Sequence, residues 1–457
     1  MSCSWVGKVA VLACAGLLAG GVVARPGWAA SDDDLRAELE ALRWRVAELE
    51  AQVTDGGASA RRGPQVTLGG QYRINSYSSD NDDADGRQTA SRVRIRQNLD
   101  LEFDERLRTH LQIELGHTND NITTTQSSSR GNSIDVRHAV IDYAFDSGIR
   151  MQAGIVPLSD RFGDTLFSSD WDYNPVALAL TAPLLGGTLR AFAADLAEGD
   201  EADADDDFVH YQLDYALPLS SEGRIDIGAS FASIADPAGE SRFHTNYGIG
   251  ASFPLKGGLL LRGFLLGSWT DRNLLGASDD ADGVAAKLEL VSGSGLALMA
   301  TYASGDSDGT GFLPTMALAA TNGYWGYTGI LTVQGPTDTG FDGDSVNISN
   351  NGFGLTTVQV RFTRPLSDEL DIYLAAGWFG HSDDPGGRES RVGLDFLAMG
   401  TYHFNEVLGL DFGAAYAKLE DSVSGYSNGV IGGASFNQPV GRDRDKLAFF
   451  TRLQAEF

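Results

Sequence analysis

The chain has 457 residues, with 34 basic and 62 acidic side chains and a net charge of −28. A surface this acidic repels phosphate, so nucleic acid is excluded as a partner. Both cysteines, Cys3 and Cys14, fall in the first 30 residues, which excludes disulfides, thiolate metal sites and cysteine nucleophiles from everything that follows.

Residues 1–30 read as a secretory signal: Lys8, an apolar stretch from Val9 to Ala24, and the small-residue end Gly27-Trp28-Ala29-Ala30. Cleavage is expected after Ala30. A transmembrane anchor is the alternative, but the stretch is short for a span and rich in Gly and Ala. Val11-Leu12-Ala13-Cys14 matches a lipoprotein box only loosely. Removing the segment takes away Lys8 and Arg25 and no acid, so the mature chain is more negative still.

Residues 31–53 predict a coiled-coil helix. Leu35, Leu39, Leu42, Val46, Leu49 and Val53 alternate spacings of four and three, a heptad seam flanked by charged residues. Asp32, Asp33 and Asp34 suit the positive end of the helix dipole. Three heptads are marginal alone, so such helices need something further to hold the chains together. By pattern the seam leans toward a dimer; an amphipathic helix docked on its own domain is the alternative. Residues 54–64, rich in Gly, Ala and Arg, predict a flexible linker.

From residue 65 to 457 the chain reads as all-β, in runs of about ten residues. In 91–117, Arg92, Arg94 and Arg96 alternate with Val93 and Ile95; Leu99, Leu111 and Ile113 continue the apolar side. Val209, Tyr211, Leu213 and Tyr215 likewise oppose His210, Gln212 and Asp214. Short turns are expected near 105–106, 146–148, 185–186, 220–222, 256–258, 293–294, 366–369 and 405–406. Longer polar connections separate the hairpins, at 78–90, 119–132, 159–173, 198–206, 235–242, 271–282, 305–352, 382–390 and 420–445. The count is eighteen strands, with both ends on the short-turn rim. Sixteen is the alternative, because the 174–197 hairpin and the limits of 305–352 are open; 324–335 could itself pair.

Alternation alone fits a soluble sandwich or barrel, with apolar side chains inside, or a membrane barrel, with them outside. Unequal rims and strand-end aromatics favour the membrane barrel. In the final run, Leu447, Phe449, Thr451, Leu453, Ala455 and Phe457 alternate up to a terminal aromatic. That ending is similar to the closing strand by which outer-membrane barrels are recognised, which makes Phe457 the expected insertion signal.

On this pattern residues 65–457 resemble a Gram-negative outer-membrane porin. The helix at 31–53 resembles the periplasmic coiled coils of sucrose porins and related trimeric channels. Arg45-Val46-Ala47-Glu48-Leu49-Glu50 is similar to an Arg-apolar-x-x-apolar-Glu trimer pattern. The resemblance implies a transmembrane antiparallel β-barrel in the outer membrane, with the helix in the periplasm. It implies a homotrimer in contact with outer-membrane lipid and lipopolysaccharide. The implied function is passive diffusion of small hydrophilic solutes or ions through a water-filled pore. A substrate-preferring sugar or anion channel is the alternative; a structural envelope barrel or a barrel hydrolase are further ones. No cofactor, metal or catalytic group is expected, since seven histidines lie scattered and no Gly-x-Ser-x-Gly or His-Glu-x-x-His occurs.

The resemblance also implies that the third external loop, 159–173, folds inward and narrows the pore. It carries Asp160, Arg161, Asp164, Asp170 and Asp172. Facing it would stand Arg92, Arg94, Arg96, Arg108 and Arg150, with Arg137 beside a break in its strand's alternation. The alternative for these arginines is internal pairing with Asp100, Glu102 and Glu114. Acidic stretches 80–86, 198–207 and 305–311 read as solvated loops rather than calcium sites, since an EF-hand's Glu is Arg92 here. Acidic loops and arginines pull in opposite directions, and the expected balance is weak cation selectivity at low salt.

Overall fold

A strand that shows apolar side chains to one side and charges to the other is stable in a membrane only when both backbone edges are hydrogen-bonded. In the computed structural model this condition is met throughout. The structure describes residues 63–81, 86–115, 134–169, 174–197, 208–235, 241–271, 280–306, 311–315, 326–331, 354–383, 390–420, 424–425, 438–439 and 445–457. The chain divides into two units, Met1–Gln65 and Val66–Phe457, and nearly all described residues belong to the second. The expected signal, heptad helix and linker lie outside the described residues.

The first strands are β1 (Gln65–Asn81), β2 (Gly86–Glu102), β3 (Leu107–Leu115), β4 (Ile134–Ala144), β5 (Arg150–Ile155) and β6 (Val176–Leu184). Next come β7 (Gly187–Ala197), β8 (Phe208–Pro218), β9 (Arg224–Ala235), β10 (Ser241–Leu255), β11 (Leu259–Thr270) and β12 (Ala281–Ser292). The last are β13 (Leu296–Ala303), β14 (Leu355–Pro365), β15 (Leu370–Gly380), β16 (Arg391–His403), β17 (Leu408–Leu419) and β18 (Lys446–Glu456). Each pairs antiparallel with its sequence neighbours. β18 also pairs with β1, from Gln71 opposite Glu456 to Ser79 opposite Ala448, so the sheet closes and no edge remains. Eighteen strands form the barrel, and the sixteen-strand alternative falls. A two-residue ladder, 424–425 with 438–439, stands apart from it.

The faces run as a membrane barrel requires. In β8, Phe208, His210, Gln212 and Asp214 are buried, while Tyr211 and Leu213 are about half exposed at 48% and 52%. Val93 is exposed, and Ile95, Leu99, Leu111 and Ile113 are partly so. A buried Asp214 next to an exposed Leu213 would be inverted in a soluble protein. Against lipid the arrangement is favourable, because an inward charge avoids facing the acyl chains, a cost of about 2–4 kcal/mol for Arg or Lys at mid-depth and less for Asp. No described helix is long and apolar enough to cross a membrane.

One irregularity resolves the alternation around Arg137. Gln112 faces His138 and Ile113 faces Val136, leaving Arg137 as an extra residue in β4. This bulge turns Arg137 and His138 to the interior together, both buried. A further correction concerns 324–335: its described part, 326–331, forms no strand and packs inside the barrel instead.

Candidate functional site

Two connections fold into the lumen. The first follows β5 and is described through Ser169. Val156, Leu158, Phe162, Leu166 and Phe167 are all buried, so burial of apolar surface draws it inward. Its shape comes from one carboxylate. Asp160 accepts backbone N–H groups from Phe162, from Leu166 at 2.6 Å and from Phe167 at 2.9 Å. The Ser169 hydroxyl accepts from Leu158 N at 2.7 Å and donates to the Val156 carbonyl at 3.0 Å. Burial pushes the Asp160 carboxyl up to about 7, against the pull of its three N–H donors.

The wall is cut to receive this loop. Phe167 stacks on His210 of β8, ring centroids 4.4 Å apart. Phe162 lies edge-on to Phe264 at 6.3 Å and covers Gly250, where a Cβ would come within 3.2 Å of its ring. Arg190 of β7 pairs with buried Asp214 and donates to the Ser159 carbonyl, tying loop to wall.

The second inward loop follows β13 and was not foreseen as part of the constriction. Its described pieces are 311–315 and 326–331, with Phe312, Leu313, Thr315, Tyr327, Ile330 and Leu331 buried. Here the wall supplies the polar groups. Asn246 of β10 donates to the Leu313 carbonyl at 2.9 Å and accepts from Thr315 N at 3.0 Å. Asp395 of β16 accepts from Ile330 N at 2.9 Å and Leu331 N at 2.8 Å. Gln359 of β14 accepts from Tyr327 N at 2.7 Å, and the Tyr327 hydroxyl donates to Glu289 of β12. The Arg361 guanidinium sits 4.7 Å from the Tyr327 ring centre. Phe312 lies so close to Gly283 that a Cβ there would stand 2.2 Å from its Cα.

Of the expected arginines, those whose side chains are described lie on the interior of β2–β5. Arg94 is buried and donates to Gln71 at 2.8 Å. Glu114 takes Arg96 at 2.6 Å and Arg137 at 3.3 Å. Arg108 pairs with Glu102 at 2.9 Å, and Arg150 grips Asp142 through Nε at 2.7 Å. Similar pairs continue around the barrel: Arg224 with Asp226, Arg262 with Glu289, His403 with Asp371, and Arg452 with Asp411. Among the described residues, these wall charges are thus largely neutralised by near neighbours. The described part of the first loop seats on β7–β11, through Phe167 on His210, Phe162 on Phe264 and Ser159 on Arg190. Asp160 is turned into the loop's own backbone, Arg161 is near Arg190 and Asp214, and Asp164 adopts a positive φ of 59°. The Arg92 side chain, Asp170 and Asp172 lie outside the described residues, as do most of the acidic stretches.

Several interior residues went unforeseen: Arg73 on β1, Arg452 on β18, Arg262, Glu289 and Arg361 under the second loop. Alternation could have found Arg73, between Tyr72 and Ile74, and Arg452, between Thr451 and Leu453.

No family model and no curated protein matches the sequence. Solved structures match by shape. OccK9 (OpdG) of Pseudomonas aeruginosa aligns with a TM-score of 0.54 at 13% identity, over 86% of this chain and 99% of its own. OpdO of the same organism gives 0.52 at 11%, over 86% and 97%. OccK8 (OprE), also of that organism, gives 0.51 at 10%, over 85% and 98%. At such identities the likeness is one of fold: the chain is a closed, eighteen-stranded antiparallel β-barrel like theirs.

Proposed function

We propose that this protein is an outer-membrane porin through which small hydrophilic solutes and ions diffuse passively. The observation that supports it is the pairing of an apolar exterior with an interior of ion pairs, narrowed by two inward loops. Such a lumen is polar enough to hold water and close enough to neutral to admit either sign of ion. Arg92, Arg94, Arg96, Arg108, Arg137 and Arg150 belong to its wall, and Arg161, Asp164, Asp170 and Asp172 to the narrowing loop; Asp160 shapes that loop. Because the wall is self-neutralised and the loops outside are acidic, weak cation selectivity at low salt remains the expectation.

Residues 31–53 act, in this proposal, as a periplasmic coiled coil in a homotrimer embedded in lipid and lipopolysaccharide, and Phe457 as the insertion signal. Phe457 exchanges backbone hydrogen bonds with Gly70 at 2.8 and 3.1 Å, which suits a closing role. Planar-bilayer recording of the refolded full chain tests the channel. Discrete, ohmic conductance steps are expected, and reversal potentials in a salt gradient report the ionic preference. Folded protein that inserts without conducting would overturn the reading. Deleting 31–53 is expected to lower trimer yield while the steps persist.

A further inference from the structure

Strand pairing brings together two histidines that lie 28 residues apart in sequence. His110 of β3 and His138 of β4 meet on the interior, His138 Nδ1 and His110 Nε2 standing 3.4 Å apart. The bulge at Arg137 is what turns His138 inward. Behind the pair, Asp100 of β2 lies 2.7 Å from His110 Nδ1. A carboxylate there accepts the Nδ1 proton, so the lone pair of His110 rests on Nε2, the atom facing His138.

We propose that His110 and His138 bind one borderline dication of the zinc class, with Asp100 orienting the first imidazole. A metal about 2.05 Å from each nitrogen, the usual zinc–imidazole length, would subtend an angle of about 110° across the 3.4 Å gap, close to tetrahedral. An imidazole–imidazole hydrogen bond is weak at that separation, so the spacing suits an inserted ion better than a direct contact. Among the described residues no three metal-binding side chains form a closed cage, so water completes the shell. A further oxygen is at hand. Gln112 occupies the position opposite His138, and its Oε1 is buried without a hydrogen-bond partner.

The nearest cations are already engaged, Arg96 and Arg137 by Glu114 and Arg108 by Glu102, which leaves the Asp100 carboxylate to His110. Two imidazoles select zinc, cobalt or nickel over magnesium and calcium, which demand oxygen ligands. His110 is 30% exposed at its side chain, which gives an ion access.

The test uses the refolded full chain without a polyhistidine tag. Cobalt(II) is titrated and its visible d–d absorption followed, then zinc is added to displace it. One saturable ion per chain is expected, insensitive to excess magnesium. His110→Gln and His138→Gln are each expected to abolish the signal, and Asp100→Asn to weaken binding by about tenfold or more. His403→Gln, at the separate pair with Asp371, is expected to change nothing. Heat-modifiable migration confirms that each variant has folded; where a Gln variant does not, the Asn variant at the same position replaces it. Absence of saturable binding in the unaltered chain, or retention of it in both histidine variants, overturns the proposal. Neither readout depends on conductance, so this outcome is independent of the channel assignment.

Discussion

The two inward loops bury similar apolar tips but are held by opposite means. The first carries its own scaffold: Asp160, Thr165 and Ser169 satisfy backbone groups of the same loop. The second borrows its scaffold from the wall, where Asn246, Gln359 and Asp395 reach in to its backbone. A loop folded on itself keeps its form when its seat is altered. A loop folded on the wall has no form without it.

The largest expected effect follows from removing the central carboxylates. Asp160→Ala leaves three buried N–H groups without an acceptor, at about 3 kcal/mol or more. Asp395→Ala takes the acceptor from Ile330 and Leu331 of the second loop and the contact with Thr328, and a comparable loss is expected. Hydrogen exchange distinguishes them: protection should vanish at Phe162, Leu166 and Phe167 in the first case, and at Ile330 and Leu331 in the second. Protection lost in both loops from either substitution would break the distinction.

The wall glycines come next. At Gly283 a new Cβ meets Phe312 backbone at 2.2 Å, and at Gly250 it meets only the edge of the Phe162 ring at 3.2 Å. Gly283→Ala is therefore expected to unseat the second loop at a cost of about 1–3 kcal/mol. Gly250→Ala should be tolerated, since a ring can turn. Denaturant unfolding in detergent micelles measures the difference, and equal losses would contradict it.

A pH effect should separate the loops further. The folded Asp160 carboxyl, raised by burial, titrates near 7 rather than 3.8. Its contribution to the first loop is complete below that lower value and is lost as pH rises through about 7. Exchange protection at Leu166 and Phe167, corrected for intrinsic rates, should fall between about pH 4 and 7 and level off above, and Asp160→Asn should abolish that dependence.

The smallest expected effects are at two buried hydroxyls. Thr165→Ala removes a 2.8 Å bond to the Phe162 carbonyl, and Thr315→Ala a 2.9 Å bond to Asn246. Each should cost about 1 kcal/mol. The double variant should cost their sum if the loops are independent. A clear departure would mean that the shared core of Phe162, Phe264 and Phe312 couples them.

Strand number, turn positions and side-chain facing were legible because each depends on residues close in sequence. Alternation at Val209–Tyr215 and a two-residue turn at Leu185-Gly186 are local statements, and lipid on one side leaves a slipped register no stable alternative. Much of the site was not legible for the complementary reason. The inward fold of 159–173 came from resemblance, and its acids looked like pore charges. Only the folded loop shows Asp160 turned back on its own amides.

The second loop's seat depends on Asn246, Gly283 and Asp395, which lie far from it in the chain and point inward only once the barrel closes. The same holds for the two histidines joined by the Arg137 bulge: a scattered composition becomes a pair through register alone. By itself the sequence determined the barrel, because lipid, water and the backbone's hydrogen-bonding demand act on every strand alike. The interior was decided by tertiary structure alone, because which loop fills the lumen, and which charge meets which, is a matter of contacts between strands that no local pattern encodes.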